Sequence, residues 1–65
     1  MNTDWTQAYG NTVLENGESI TSVYPFCSQF LGDLFEQLVS WAEDQSEVYD
    51  SPVVSMQLLR VTGKE

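Results

Sequence analysis

The 65-residue chain has no histidine and a single cysteine. Histidine is the commonest general base, and no serine or cysteine here stands in a nucleophile motif such as G-x-S-x-G. Cys27 has no second cysteine with which to form an internal disulfide, and no cluster of metal-ligating residues occurs. We therefore expect a protein that is not an enzyme and uses no metal or other cofactor, with Cys27 as a small apolar residue in a helix core.

Positive charge is also scarce, because two basic residues stand against ten acidic ones and the formal net charge is −8. Both basic residues, Arg60 and Lys64, fall in the last six positions. Nucleic acids and anionic membranes are bound through basic side chains, so this composition argues against direct binding to either. A protein partner with a basic groove fits the charge better.

Long apolar runs are missing as well, and the first four residues lack the basic start of a secretory signal. We expect a cytoplasmic protein, located in the host cell cytoplasm if it is viral. The 42% apolar content is too high for a disordered acidic chain, so residues 1–65 should fold as a single small acidic domain with a thin core.

Three segments have clear secondary-structure patterns. Residues 11–24 read as a β-hairpin in which Asn16-Gly17 suits a type I′ turn. Apolar residues at helical spacing predict one long helix over residues 25–46, with Pro25 in its first turn. Residues 53–61 read as a strand, central in the sheet because apolar residues occur on both of its faces.

The N-terminal stretch from Thr3 to Gly10 could add one short capped helical turn closed by Gly10. Together these elements predict an α+β fold, in which one long amphipathic helix packs on a small antiparallel sheet. The polar face of that helix is almost entirely acidic. Its predicted phosphate-mimicking carboxylates are Asp33, Glu36, Glu43, Asp44 and Glu47.

The segment Glu15-Asn16-Gly17-Glu18-Ser19-Ile20 contains both the turn signal and a short motif. Glu18-Ser19-Ile20 resembles the Glu-Ser-Ile strand motif of phage-type and staphylococcal uracil-DNA glycosylase inhibitors, which are small acidic proteins that mimic DNA. The resemblance implies an edge strand that enters the DNA-binding groove of the glycosylase. It also implies an apolar pocket between helix and sheet that captures the leucine which the enzyme inserts into the minor groove.

Carried over to this sequence, the motif implies that Glu18 and Ser19 contact the loops that grip phosphate and that Ile20 borders the pocket. The residues of this chain that we expect to line the pocket come from the predicted helix and the last predicted strand. They are Leu31, Leu34, Phe35, Leu38, Met56 and Leu58. Any one of them could instead belong to a plain hydrophobic core, and both interpretations hold if that core is partly open.

Two other functions remain open at this stage. The chain could be an acidic DNA mimic or interaction protein that blocks another basic target, such as a CRISPR nuclease, a polymerase or a toxin. It could instead be a structural protein that forms a homodimer or larger oligomer through Trp5, Tyr9 and Trp41. Glu18 has an ordinary alternative role too, since a charged residue on a short edge strand discourages aggregation.

Overall fold

The computed structural model describes residues 6–63, which form one helix packed on a small antiparallel sheet. The predicted α+β class is confirmed. In chain order the elements are β1 (Thr6–Leu14), β2 (Ser19–Thr21), β3 (Phe26–Ser28), α1 (Leu31–Tyr49) and β4 (Val53–Gly63).

Strand β1 is the centre of the sheet. Along one edge it pairs with β4 from Thr6↔Gly63 to Leu14↔Val53. Along its other edge it pairs first with β3 and then with β2, which follow one another like two halves of a single interrupted strand. The sheet is therefore effectively three strands wide, and every pairing is antiparallel.

The expectation that residues 53–61 form a central strand was wrong. Of the described strands, β4 pairs with β1 alone and so forms an edge of the sheet. The central strand has Gly10 and Asn11 in its middle, residues that carry little β-strand signal on their own. The strands on both edges of β1 stabilise the extended backbone of these residues. The local sequence pattern does not show that β1 lies between two strands.

The core lies between α1 and the face of β1 that carries its even-numbered residues. Ala8 and Leu14 of β1 are fully buried against Leu34, Leu38 and Ala42, which recur every four residues along the helix. Each buried leucine contributes about 1.5–3 kcal/mol by leaving water. Five buried apolar side chains make a thin core, as the chain length predicted.

The opposite face of the sheet is polar and is held by a buried asparagine. The side-chain amide of Asn11 donates hydrogen bonds to the Ser19 hydroxyl (3.3 Å), the Ile20 carbonyl (3.2 Å) and the Thr21 hydroxyl (3.1 Å). Its carbonyl oxygen accepts from the Gln57 side chain at 3.2 Å. One residue of β1 thus ties both neighbouring strands together. Every buried side-chain nitrogen and oxygen atom of the described residues has a hydrogen-bond partner.

The hairpin occurs where residues 11–24 predicted it, but the type I′ turn was wrong. Leu14 donates its N–H to the carbonyl of Glu18 and accepts from the N–H of Gly17, both at 2.9 Å, which leaves a three-residue loop. Within this loop Gly17 has a positive φ (96°) and Asn16 does not. Asn16 instead uses its side-chain oxygen to accept the Glu18 N–H at 2.9 Å, so a type I turn with a glycine bulge closes the hairpin.

The helix begins six residues later than predicted, because residues 26–28 form strand β3. Pro25 therefore precedes a strand instead of opening the helix, and Cys27 is exposed on β3, not buried in a helix core. Phe26 and Cys27 pair with Ala8 and Gln7 of β1. The backbone hydrogen bonds that β1 offers outweigh the local helical spacing.

The helix ends at Tyr49, three residues beyond the predicted end, and Asp50 follows in the left-handed conformation (φ 53°). The connection to β4 holds the hairpin tip, since Glu15 donates its N–H to the Pro52 carbonyl (2.9 Å) and Asn16 donates to the Ser51 hydroxyl (3.0 Å). The described part of the chain contains no helix that is both long and apolar enough to cross a membrane.

The helical turn suggested for the N-terminal stretch is not formed by residues 6–10, which belong to β1; residues 3–5 lie outside the described range. Gly10 does not close a helical turn, as we predicted, but leaves space for a side chain that packs on β1. A Cβ atom at Gly10 would lie 2.6 Å from the Phe26 ring and 3.1 Å from a methyl carbon of Leu38. The missing side chain lets the Phe26 ring lie directly on β1.

Gly10→Ala should therefore lower the free energy of unfolding by about 1–3 kcal/mol, because the added methyl group forces the Phe26 ring away. The matched control is Gly32→Ala in α1, where an added Cβ meets nothing within 4 Å. That change should raise stability by up to about 1 kcal/mol through helix propensity. Urea unfolding measures the change in the free energy of unfolding for both variants. Equal changes of the same sign would contradict the close packing of the Phe26 ring on Gly10.

Candidate functional site

The outward face of α1 is a stripe of carboxylates. Its members, which we call the acidic stripe, are all exposed: Asp33, Glu36, Glu43, Asp44 and Glu47. They form two groups, Asp33 with Glu36 and Glu43 with Asp44 and Glu47, and at about 100° per residue both groups lie on the side of the helix away from Leu34, Leu38 and Ala42. The five predicted carboxylates therefore share one surface.

This arrangement works against the stability of the isolated helix. Glu43 and Glu47 are four residues apart, Asp44 and Glu47 are three apart, and the last turn carries no basic side chain. Each like-charge pair costs about 0.2–0.5 kcal/mol, and acidic groups near a helix C-terminus interact unfavourably with its dipole. A sequence selected for stability alone would place lysines at some of these positions.

The Glu18-Ser19-Ile20 segment occupies an open edge of the sheet. Strand β2 pairs with β1 through Thr12↔Ile20 and Val13↔Ser19, and no other described strand pairs with it. Glu18 and Ser19 are exposed, whereas Ile20 is half-buried because it shares the face of Thr12, which points to the helix. The segment is therefore both part of the hairpin and an accessible edge.

An apolar recess interrupts the same edge between β2 and β3. It is a concavity of about 400 Å³, and we call it the edge recess; its lining residues are Ser22, Val23, Tyr24, Pro25, Phe26 and Trp41. The rings of Phe26 and Trp41 meet edge to face with their centroids 6.0 Å apart. Tyr24 is 80% exposed at the rim.

The edge recess continues directly into the acidic stripe. A neighbouring concavity of about 420 Å³ shares Phe26 and Trp41 with it. The other side of this concavity is lined by the carboxylates Asp33, Glu36 and Asp44. Gln37 fixes this flank of the helix by donating a hydrogen bond to the carbonyl of Cys27 at 3.2 Å. Open backbone, aromatic recess and carboxylates thus lie on one side of the molecule.

The pocket residues predicted from sequence are not brought together with β2. Leu34 and Leu38 are 0% and 2% exposed, so they close the core and offer no surface to a partner. Met56 and Leu58 lie on β4, on the opposite edge of β1 from the motif, and Leu31 and Phe35 are exposed on α1. Helical spacing identified an apolar face correctly, but it could not show which half of that face remains accessible.

The residues that do form the edge recess were missed for a definable reason. The sequence pattern predicts the end of a hairpin and the start of a helix over residues 22–26, and neither element makes Tyr24 and Pro25 part of one surface. The same pattern places Trp41 on the apolar face of the helix, whereas its ring packs on Phe26 at the edge of the sheet. The break between β2 and β3 was the missing information. No group of three or more metal-ligating side chains occurs among residues 6–63.

Replacing one carboxylate of the acidic stripe should stabilise the fold. Glu47→Lys removes the repulsion from Glu43 and Asp44 and places a cation near the helix C-terminus, so we expect a gain of about 0.5–1.5 kcal/mol. Glu15→Lys, which makes the same charge change on the hairpin, should gain less. Thermal unfolding at low and high salt measures both effects. Equal stabilisation by Glu47→Lys and Glu15→Lys would contradict repulsion within the acidic stripe. So would a wild-type protein whose stability does not rise with salt.

No family model matches the chain, and no curated protein or solved structure matches it. The likeness of Glu18-Ser19-Ile20 to the glycosylase inhibitor motif therefore stays an inference from three residues.

Proposed function

We propose that the chain is a DNA-mimicking inhibitor that occupies the DNA-binding groove of uracil-DNA glycosylase in the cytoplasm of the host cell. One observation carries the proposal: the free β2 edge, the edge recess and part of the acidic stripe lie on the same side of the molecule. A groove that binds DNA needs all three kinds of contact from a competitor. The carboxylates attract a basic groove at long range. Hydrogen bonds at the β2 edge and apolar contacts in the edge recess make the binding specific for one groove.

The acidic stripe has nearly the charge density of a DNA strand. From Asp33 to Glu47 the helix rises by about 21 Å, at about 1.5 Å per residue. One DNA strand presents roughly six phosphates over that length, at about 3.4 Å of axis per charge. The stripe presents five carboxylates on rigid backbone. Basic loops that grip phosphates at two places along a strand can therefore be satisfied by the two groups of carboxylates on α1, which are about 10 Å apart along the helix axis.

The edge recess supplies the apolar contact that charge alone lacks. Enzymes that bind the minor groove or flip a base insert an apolar side chain into the base stack. Phe26 and Trp41 form a preformed aromatic floor, and Tyr24 stands at its rim, so such a side chain can enter without reorganising the core. This recess takes the place of the helix–β4 pocket that the sequence suggested.

The free edge of β2 supplies directional hydrogen bonds. Its outward backbone groups, together with the exposed Glu18 and Ser19, can pair with a loop or strand of the enzyme. Glu18 is well positioned for this role, because its N–H is fixed by the Asn16 side chain at 2.9 Å and β2 follows immediately. The segment therefore presents a carboxylate on ordered backbone.

The direct test is uracil excision from a labelled oligonucleotide by a bacterial uracil-DNA glycosylase. We expect excision to stop at near-equimolar inhibitor and inhibition to weaken as salt rises, because the contacts are largely ionic. A catalytically unrelated nuclease without a base-flipping step, assayed on the same DNA, serves as the specificity control. Full uracil excision at a large excess of the protein would overturn the proposal.

Two substitutions locate the site. Glu18→Lys should weaken inhibition about a hundredfold or more, since a contact charge is reversed, and Tyr24→Ala should weaken it about tenfold by removing the rim of the edge recess. Glu15→Lys is the charge-matched control, because Glu15 lies on the turn beside Pro52 and away from the β2 edge. We expect it to stay within about threefold of wild type. Equal loss for Glu15→Lys and Glu18→Lys would show that net charge, not the β2 edge, governs inhibition.

A further inference from the structure

The concavity of about 420 Å³ beside the edge recess brings two aromatic rings together with three carboxylates. We call it the aromatic–acidic cleft, and the residues that define it are Phe26, Asp33, Glu36, Trp41 and Asp44. Phe26 comes from β3 and the other four from α1. A site lined by ring faces and carboxylates together favours a cation over an apolar or neutral ligand.

The aromatic side of the cleft is in place before any ligand binds. The Phe26 and Trp41 rings meet at 64° with their centroids 6.0 Å apart. The Phe26 ring is fixed from behind because it lies on Gly10 of β1, where a Cβ atom would come within 2.6 Å of it. An edge-to-face pair leaves ring surface uncovered, and Trp41 is only half-buried, so part of its indole faces the cleft.

The acidic side of the cleft lies next to the indole ring. Asp44 follows Trp41 by three residues on α1, so the two side chains are neighbours on the helix surface. Asp33 and Glu36 lie on the other side of Trp41 along the helix axis. No basic side chain lines the cleft, and Arg60, the only basic residue of the described part of the chain, is on β4. A cation from another molecule can therefore meet these carboxylates without displacing one.

We infer that the aromatic–acidic cleft binds the guanidinium group of an arginine on the partner protein. The planar guanidinium stacks on the indole ring of Trp41 and donates hydrogen bonds to the Asp44 carboxylate. The aliphatic part of the arginine lies against Phe26. The inference rests on the proposed function, because the basic groove of the enzyme supplies the arginine.

Other occupants fit the cleft less well. A lysine ammonium is compact and strongly hydrated, so it gains less than a guanidinium from contact with a ring face. A quaternary ammonium stacks on aromatic rings but has no N–H group with which to bond a carboxylate. A second copy of this chain carries ten acidic residues against two basic ones and is repelled by the acidic stripe.

NMR titration of the full chain tests the selectivity for arginine. The probes are N-acetyl-arginine methylamide, N-acetyl-lysine methylamide and tetramethylammonium chloride, added at constant ionic strength. The reporter is the indole N–H signal of Trp41, identified by its loss in Trp41→Phe. We expect the arginine derivative to bind about fivefold more tightly than either of the other probes. Binding of the lysine derivative or of tetramethylammonium as tight as that of the arginine derivative would overturn the inference.

Two adjacent carboxylates provide a matched pair of variants, and both are exposed, so both variants should fold as the wild type does. Asp44→Asn should raise the Kd of the arginine derivative about three- to tenfold, because Asp44 lies beside the indole ring. Glu43→Gln removes the same charge from a residue that lines a different concavity with Phe35 and Val39, and should change the Kd less than about twofold. Equal changes would show that net charge, not the cleft, binds the cation.

The titration and the uracil-excision assay can fail separately. Arginine-selective binding by a protein that does not inhibit uracil excision would reject the glycosylase as the partner and leave the arginine site standing. Inhibition of uracil excision by a protein that binds the arginine and lysine derivatives equally would reject the arginine site alone.

Discussion

The structure depends on the pairing of β1 along both of its edges. Its middle residues Gly10 and Asn11 have weak strand propensity and become extended because hydrogen-bonded neighbours lie on each side. Asn11 reaches β2 and β4 from one position, and the Gly10 N–H is bonded to the buried Ser22 hydroxyl at 2.9 Å. This strand sets the positions of the other strands, of the helix and of the two edges of the sheet.

A thin core and a one-sided charge distribution follow from the same small sequence. Five apolar side chains are fully buried, and at least three close pairs of like charges remain on the helix surface. The resulting repulsion lowers the stability of the free chain by amounts that matter against a total of roughly 5–15 kcal/mol. A basic groove would relieve that repulsion on binding, so the feature that weakens the monomer can strengthen a complex.

The two edges of the sheet offer different chemistry. The β2–β3 edge is short, interrupted by an aromatic recess and bordered by carboxylates, which suits a basic enzyme groove. The β4 edge is longer, and Arg60 is the only charged residue of the strand that forms it.

Local patterns in the sequence determined the helix, the hairpin, the last strand and the acidic stripe, because periodicity and charge spacing act over a few residues. The type of turn, the late start of α1 and the position of β4 at an edge depended on hydrogen bonds between distant segments. Phe26 illustrates the difference: its spacing to Phe30 fits a helix, but pairing with Ala8 and the gap above Gly10 place it in a strand. The sequence could therefore predict an acidic, partly apolar surface and the accessible Glu18 segment. Only the tertiary structure decided that Leu34 and Leu38 close the core while Tyr24 and Trp41 form the recess, because burial depends on which elements meet.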